Sequence, residues 1–187
     1  MTEPPDPQGP QTPEIRARLH VPTADAMRRL GRELAGLLRH GDLVVLSGDL
    51  GAGKTTLTQG IGAGLQVRHD VTSPTFVIAR VHPPATDGPA LVHVDAYRLG
   101  SLAEVDDLDL DASLADSVTV VEWGEGLVEE LAADRLEVRL RRPRGDETGC
   151  ADGADPSHGS PAGVEDLRTV EIAGFGGRWH GVRLPTD

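Results

Sequence analysis

Aromatic residues are scarce: two Phe, two Trp and one Tyr make up 3% of the 187 residues. A core of ordinary size must therefore be built from Leu, Val, Ile and Ala. The single Cys150, in a polar stretch, excludes an internal disulfide and points to a cytosolic chain. No run of 18 apolar residues occurs, so no membrane-spanning helix is predicted, and the N-terminus lacks the charged-then-apolar pattern of a signal peptide. Basic residues are nearly missing from one segment. Between Asp87 and Asp134 there are 13 acidic residues and one basic residue, Arg98, whereas the rest of the chain has 17 of each sign. The whole net charge of −12 therefore lies there. Such a face repels phosphate backbones, so direct nucleic-acid binding by this chain alone is not expected. It reads either as a docking face for a basic partner or as a solvated surface.

What is present centres on residues 43–56, LVVLSGDLGAGKTT. Leu43, Val44, Val45 and Leu46 form an apolar run that predicts a buried strand. It leads into Gly48-Asp49-Leu50-Gly51-Ala52-Gly53-Lys54-Thr55, which fits G-x-x-x-x-G-K-[ST]. Glycines at 48, 51 and 53 let the backbone curl until successive N–H groups point at phosphate oxygens. Lys54 carries a mobile charge toward the β- and γ-phosphates, and the Thr55 hydroxyl is a ligand for Mg²⁺. Residues 54–65 read as a helix whose N-terminus adds donors. The predicted nucleotide contacts are Asp49, Leu50, Gly51, Ala52, Gly53, Lys54, Thr55 and Thr56.

Around this loop the chain alternates between elements. Residues 1–13 are Pro-rich and predicted disordered; the rest, 14–187, reads as one domain of a size that can bury a core. Ile15, Ala17, Leu19 and Val21 alternate as a half-buried strand. Thr23 resembles an N-cap for a helix through Leu30, Leu34, Leu37 and Leu38, closed by His40-Gly41. Ser73-Pro74-Thr75 must be extended or turned, and Ser73 and Thr75 could contact a γ-phosphate or its metal, a plain proline turn being the competing reading. Phe76–Val81 and Leu91–Asp95 predict a hairpin across a Pro/Gly-rich loop. Residues 101–117 suggest two short helices, 118–121 a buried strand, 125–133 a helix, 136–140 a strand and 167–172 a last strand. Residues 143–165 form a low-complexity insert.

A phosphate loop needs carboxylates beside it to hold a metal and orient water. Asp95 lies in HVDAYRL, where strand alternation puts His93, Asp95 and Tyr97 on one face. Glu122 follows a fully apolar strand in VEWGE, and strand C-terminal ends line the crevice of a parallel sheet. Asp95 as a helix cap, His93 as a structural histidine and Trp123 as a half-buried core residue are the plain alternatives.

The blocks GDLGAGKTT, SPTF, H-x-D-x-Y-R-L and VEWGE, in this order and spacing, resemble the bacterial TsaE (YjeE) family over residues 15–142. The resemblance implies a small P-loop ATPase that assists synthesis of N6-threonylcarbamoyladenosine (t6A) at position 37 of tRNAs reading ANN codons. It implies ATP and Mg²⁺ as cofactors and the TsaB–TsaD complex as partner, with tRNA met only through partners and no membrane involved. By the same resemblance, Lys54 and the 51–56 backbone hold phosphates, and Thr55 and Glu122 ligate Mg²⁺. Asp95 lies beside the metal, and 73–75 act as a switch. Lys54, Asp95 and Glu122 are the expected catalytic set; Thr55, Asp95 and Glu122 are the expected metal set.

The expected fold is a three-layer α/β P-loop NTPase domain, its mainly parallel sheet carrying antiparallel edge strands at one edge. Two other readings remain at this level: a small-molecule kinase, and a nucleotide-gated binding module with little hydrolysis. Neither an Arg-rich lid nor an acceptor pocket is legible.

Overall fold

The computed structural model describes residues 12–74, 78–98, 115–129, 131–142 and 167–186. Seven strands form one sheet: β1 (Ile15–Val21), β2 (Leu43–Gly48), β3 (Ala79–His82), β4 (Ala90–Asp95), β5 (Ser117–Glu122), β6 (Arg135–Arg141) and β7 (Arg168–Phe175). Among the described residues two α-helices accompany them, α1 (Ala24–Ala35) and α2 (Lys54–Gly64). The strand order is β1-β7-β6-β2-β5-β4-β3. Strands β6, β2, β5 and β4 run parallel. Antiparallel pairs flank them on both sides, β6–β7 and β7–β1 at one edge and β3–β4 at the other, where one such edge was expected.

The apolar run of β2 is explained by burial on both faces. Val44 and Leu46 join Leu30, Leu34, Leu57 and Ile61 in the core beneath the helices. Leu43 and Val45 point the other way, toward Val92, Val94, Val121 and Val128. This alternation fixes the strand's register, because a one-residue slip would exchange the two sets.

Both helices lie on one face. The pair of helices predicted at 101–117 falls largely outside the described residues, as do Thr75 and Phe76, the insert at 143–165 and most of the N-terminal tail. The helix predicted at 125–133 is instead a series of turns among the described residues, with Leu127 and Val128 N–H bonded to Gly124 O and Leu131 N–H to Val128 O. Gly126 adopts a left-handed φ of 80°. The Glu129 carboxylate accepts from the Gly126 and Val128 amides at 2.6 and 3.2 Å and so holds the turn closed.

Thr23 caps α1 as predicted, its hydroxyl accepting from Ala26 N–H at 3.0 Å. The helix, however, closes at Ala35–Gly36 rather than at His40-Gly41. Leu37 and Leu38 continue the apolar pattern on two further turns, and Gly41 (φ 88°) bends the chain into β2.

Helix α1 fixes the position of α2, the element that carries Lys54, Thr55 and Thr58. The two approach so closely that a Cβ on Gly31 would lie 2.5 Å from Leu57 O. One on Gly60 would lie 2.9 Å from Gly31 Cα and collide with Arg28 O. Gly60→Ala should gain about 0.5–1 kcal/mol in helix propensity and lose about 1–3 kcal/mol to overpacking. The steric term wins. Urea denaturation should show a net loss; an unchanged or raised midpoint would mean that the helices can part without cost.

Candidate functional site

The loop between β2 and α2 curls through three glycines with positive φ: Gly48 (136°), Gly51 (76°) and Gly53 (107°). Gly48 is demanded twice, because a Cβ there would also strike the Leu140 carbonyl of β6. Gly53 caps α2 with no side-chain hydrogen bond, so the first-turn amides are left to face the loop. Such an uncapped N-terminus inside a curled loop is a cradle for anionic oxygens.

Lys54 begins α2 and is the only lysine in the chain. Its ammonium donates to Gly48 O at 2.7 Å and Asp49 O at 3.0 Å, and lies 3.5 Å from the centre of the Trp123 ring. Trp123 in turn packs against Tyr97 with centroids 5.1 Å apart. Lys54 is only 5% exposed. Burial lowers the Lys54 pKa from its ordinary 10.5, while Glu122, Asp95 and Asp49 pull it upward.

Glu122 ends β5 beneath this loop and is 3% exposed. Thr55 Oγ1 donates to its Oε2 at 3.0 Å. The Thr58 hydroxyl lies 3.3 Å from Oε1 and 3.0 Å from Lys54 O, one proton facing two acceptors. His93 Nε2 is 2.8 Å from Oε1. Asp95 sits directly across the β4–β5 ladder from Glu122.

The structure brings most of the predicted residues together. One cleft of about 250 Å³ is lined by Leu50, Gly51, Gly53, Lys54, Thr55, Thr56, Ser73, Asp95, Glu122 and Trp123. Asp49 borders the adjoining hollow with Gly48 and Trp123. Ala52 is fully buried in the core, its amide bonded to Asp49 O, so it shapes the loop rather than facing the cleft. Thr75 lies outside the described residues. Tyr97 does not continue the face of His93 and Asp95, because β4 ends at Asp95 and residues Ala96–Arg98 turn as a 3-10 helix. Asp95 Oδ1 accepts from the Tyr97 amide at 3.1 Å, so the capping reading of Asp95 holds in part.

Among the described residues no group of three or more His, Cys, Asp or Glu forms a ready-made metal cage. The donors at hand are the Thr55 hydroxyl and the Glu122 and Asp95 carboxylates, all hard oxygens. That set suits Mg²⁺, which takes one or two carboxylates and leaves other positions to water and phosphate.

Residues 21–148 match the family model described as threonylcarbamoyl adenosine biosynthesis protein TsaE. The chain belongs to the TsaE family. A tRNA threonylcarbamoyladenosine biosynthesis protein TsaE of Streptomyces coelicolor is 61% identical over 154 residues, covering 82% of this chain and 93% of that protein. The TsaE protein of Bacillus subtilis is 38% identical over 122 residues, covering 64% and 74%. The crystal structure of Bacillus subtilis YdiB superposes with a TM-score of 0.61 at 25% identity, covering 88% of this chain and 89% of that one. Membership places the chain in t6A tRNA biosynthesis and agrees with the α/β P-loop fold. No described helix is long and apolar enough to cross a membrane.

Within this TsaE site, reasoning from sequence passed over Thr58 and the Lys54–Trp123 contact. Thr58 lies one helical turn after Lys54, which could have flagged it. The Lys54–Trp123 contact joins residues distant in sequence and carried no local signal.

The lowered Lys54 pKa has a sign that can be checked. Unfolding restores 10.5, so between the folded value and 10.5 the unfolded chain binds more protons, and stability rises with pH. Wild type should therefore gain stability relative to Lys54→Met as pH climbs through that alkaline window. Parallel curves from urea denaturation would mean that burial does not weaken the ammonium.

Proposed function

We propose that the chain is a Mg²⁺-dependent ATPase that assists a TsaB–TsaD complex in the threonylcarbamoylation of adenosine 37 in ANN-decoding tRNAs. The observation that carries this reading is the Glu122 carboxylate, buried under the glycine loop and accepting from Thr55 at 3.0 Å. A loop that cradles phosphates binds; a loop with a hydroxyl and two carboxylates at its base can also hold the cation that hydrolysis requires.

In this reading the backbone of residues 51–56 and the Lys54 ammonium hold the triphosphate, and Thr55, Glu122 and Asp95 hold Mg²⁺. Bound there, Mg²⁺ neutralises charge on the β- and γ-phosphate oxygens. Lys54 exchanges its carbonyl partners and the Trp123 face for phosphate oxygens. Asp95 and Ser73, on the cleft wall, flank the place where a water attacks. Water adds to the γ-phosphorus as the bridging bond to ADP breaks, so the products are ADP and inorganic phosphate. Slow turnover by the isolated chain, stimulated by partners, fits a phosphate loop that awaits a group supplied in trans. The acidic balance of residues 87–134 fits a protein that meets tRNA only through its partners, in the cytoplasm.

The test is ATP hydrolysis by the purified chain, alone and with TsaB, TsaD, TsaC and an ANN-decoding tRNA. Partners should stimulate the rate, and Lys54→Ala should abolish it by removing nucleotide binding. Glu122→Ala should still bind ATP but turn over slower by about 10- to 100-fold. Unchanged turnover in Glu122→Ala removes Glu122 from the mechanism. Phosphate transfer to a small alcohol in place of water would favour a kinase instead.

A further inference from the structure

Among the buried polar residues that the TsaE reading does not use, two touch the Glu122 carboxylate, Thr58 and, more closely, His93. His93 is fully buried on β4, on the same face as Asp95 and facing α2. In the parallel ladder it pairs with Val120, two residues before Glu122, which aims its ring along the sheet toward the carboxylate. Its Nε2 lies 2.8 Å from Glu122 Oε1, while its buried Nδ1 has no hydrogen-bond partner. An imidazole with one nitrogen against a carboxylate oxygen and the other unmatched carries its proton on Nε2 and donates it.

An orphaned buried nitrogen has a cost that an apolar side chain of similar size would avoid. Packing alone therefore does not account for histidine here. The residue is explained by the bond it makes. Thr58, the other donor to Oε1, is 3.3 Å away and divides its proton with Lys54 O, so His93 is the firmer anchor. With Oε1 engaged by β4 and α2, Oε2 is left on the Thr55 side of the cleft.

We propose that His93 is a positioning residue: it fixes the rotation of the Glu122 carboxylate and so keeps Oε2 turned to the side where Thr55 and Mg²⁺ meet. The inference rests on the Mg²⁺-dependent ATPase reading above. Hydrogen-bond partners of metal-binding carboxylates commonly govern metal affinity by about 10- to 100-fold when removed.

The test uses the full chain and reads binding rather than turnover. A fluorescent ATP analogue is titrated in EDTA and across a Mg²⁺ series, for wild type and for His93→Leu, His93→Gln and His93→Asn. Gln places an amide N–H near the position of Nε2; Asn places it near Nδ1, away from Glu122. In His93→Leu and His93→Asn the Mg²⁺ needed for half-maximal enhancement of nucleotide binding should rise about 10- to 100-fold, with affinity in EDTA unchanged. His93→Gln should recover most of the wild-type response. Thermal melts identify any variant that fails to fold, and the Gln–Asn contrast then carries the test without Leu. Wild-type Mg²⁺ dependence in His93→Asn, or a Gln variant as impaired as Asn, overturns the role of His93 alone. A wild-type chain whose nucleotide affinity ignores Mg²⁺ overturns the ATPase reading and this inference with it.

Discussion

A carboxylate buried under a glycine loop is the constraint on which the rest of the arrangement depends. Leaving Glu122 charged at 3% exposure is tolerable only if its oxygens are hydrogen-bonded. The donors come from three places: Thr55 and Thr58 on α2, and His93 on β4. Strand β5, helix α2 and strand β4 are thereby tied at one point. The sheet must place β5 beside β2 and β4 beside β5, which is the order observed. A one-residue slip of β5 would turn Glu122 to the opposite face and bury Val121 where the carboxylate now stands. The apolar alternation of β5 and the polar network at its end therefore specify the same register.

The second constraint is the lone lysine. With 17 arginines elsewhere, the chain uses Lys only at position 54. Arginine's rigid planar fork suits fixed bidentate pairs, such as Arg178 with Asp42, where Nε and a terminal nitrogen meet the two carboxylate oxygens at 3.1 and 2.9 Å. A compact charge on a flexible stem suits a group that must change partners. Lys54 rests on two carbonyls and an indole face, all weaker partners than a phosphate. Trp123 holds that indole in place with a left-handed φ of 63°, costly for a bulky residue. Its amide still bonds Leu46 O at 2.8 Å, extending the β2–β5 ladder past the strand end. Strain of about 1–3 kcal/mol at such a position is commonly found where it serves a site.

Local patterns were the legible part. The run 43–46, the loop and helix α2 stand within a residue or so of the expected bounds, because strand, glycines and helix each leave a signature within a few positions. The strand-end positions of Asp95 and Glu122 were also legible, since each acid closes a largely apolar run, LVHV and VTVV. What these signals lack is cross-strand register. That Asp95 faces Glu122, and that His93 reaches Oε1, follows from the β4–β5 pairing, which no local window contains. The helix expected at 125–133 failed because Gly126 takes a left-handed φ of 80° at its second position, which turns the backbone off the helical path. The end of α1 was misplaced because Leu37 and Leu38 keep their apolar spacing after the backbone has left the helix; Gly36 was the available stop signal. Trp179 lies past the last strand, where no periodic pattern marks it. It is fully buried beneath Arg178, which clamps Leu37 O and Asp42.

Charge is divided across the sheet in a way that bears on the site. The β1–β7–β6 side carries Arg16, Arg18, Arg135, Arg139 and Arg141, and several of these pair with glutamates, including Arg135 with Glu137 and Arg139 with Glu125. Arg18 and Arg141 flank Glu171 at 3.8 and 3.7 Å. Three glutamates thus offset part of this positive charge. Asp95 and Glu122 end β4 and β5, and they belong to the segment, residues 87–134, that carries the acidic surplus of the sequence. A long polyanion is repelled by every acidic group it passes, so the repulsion accumulates with its length. A compact anion seated in the loop meets the Lys54 charge and the α2 dipole at contact range, where their attraction is greatest. In the proposed reading, that difference in range favours a small phosphate ligand over a long polyanion, the selectivity that acting on tRNA through partners requires.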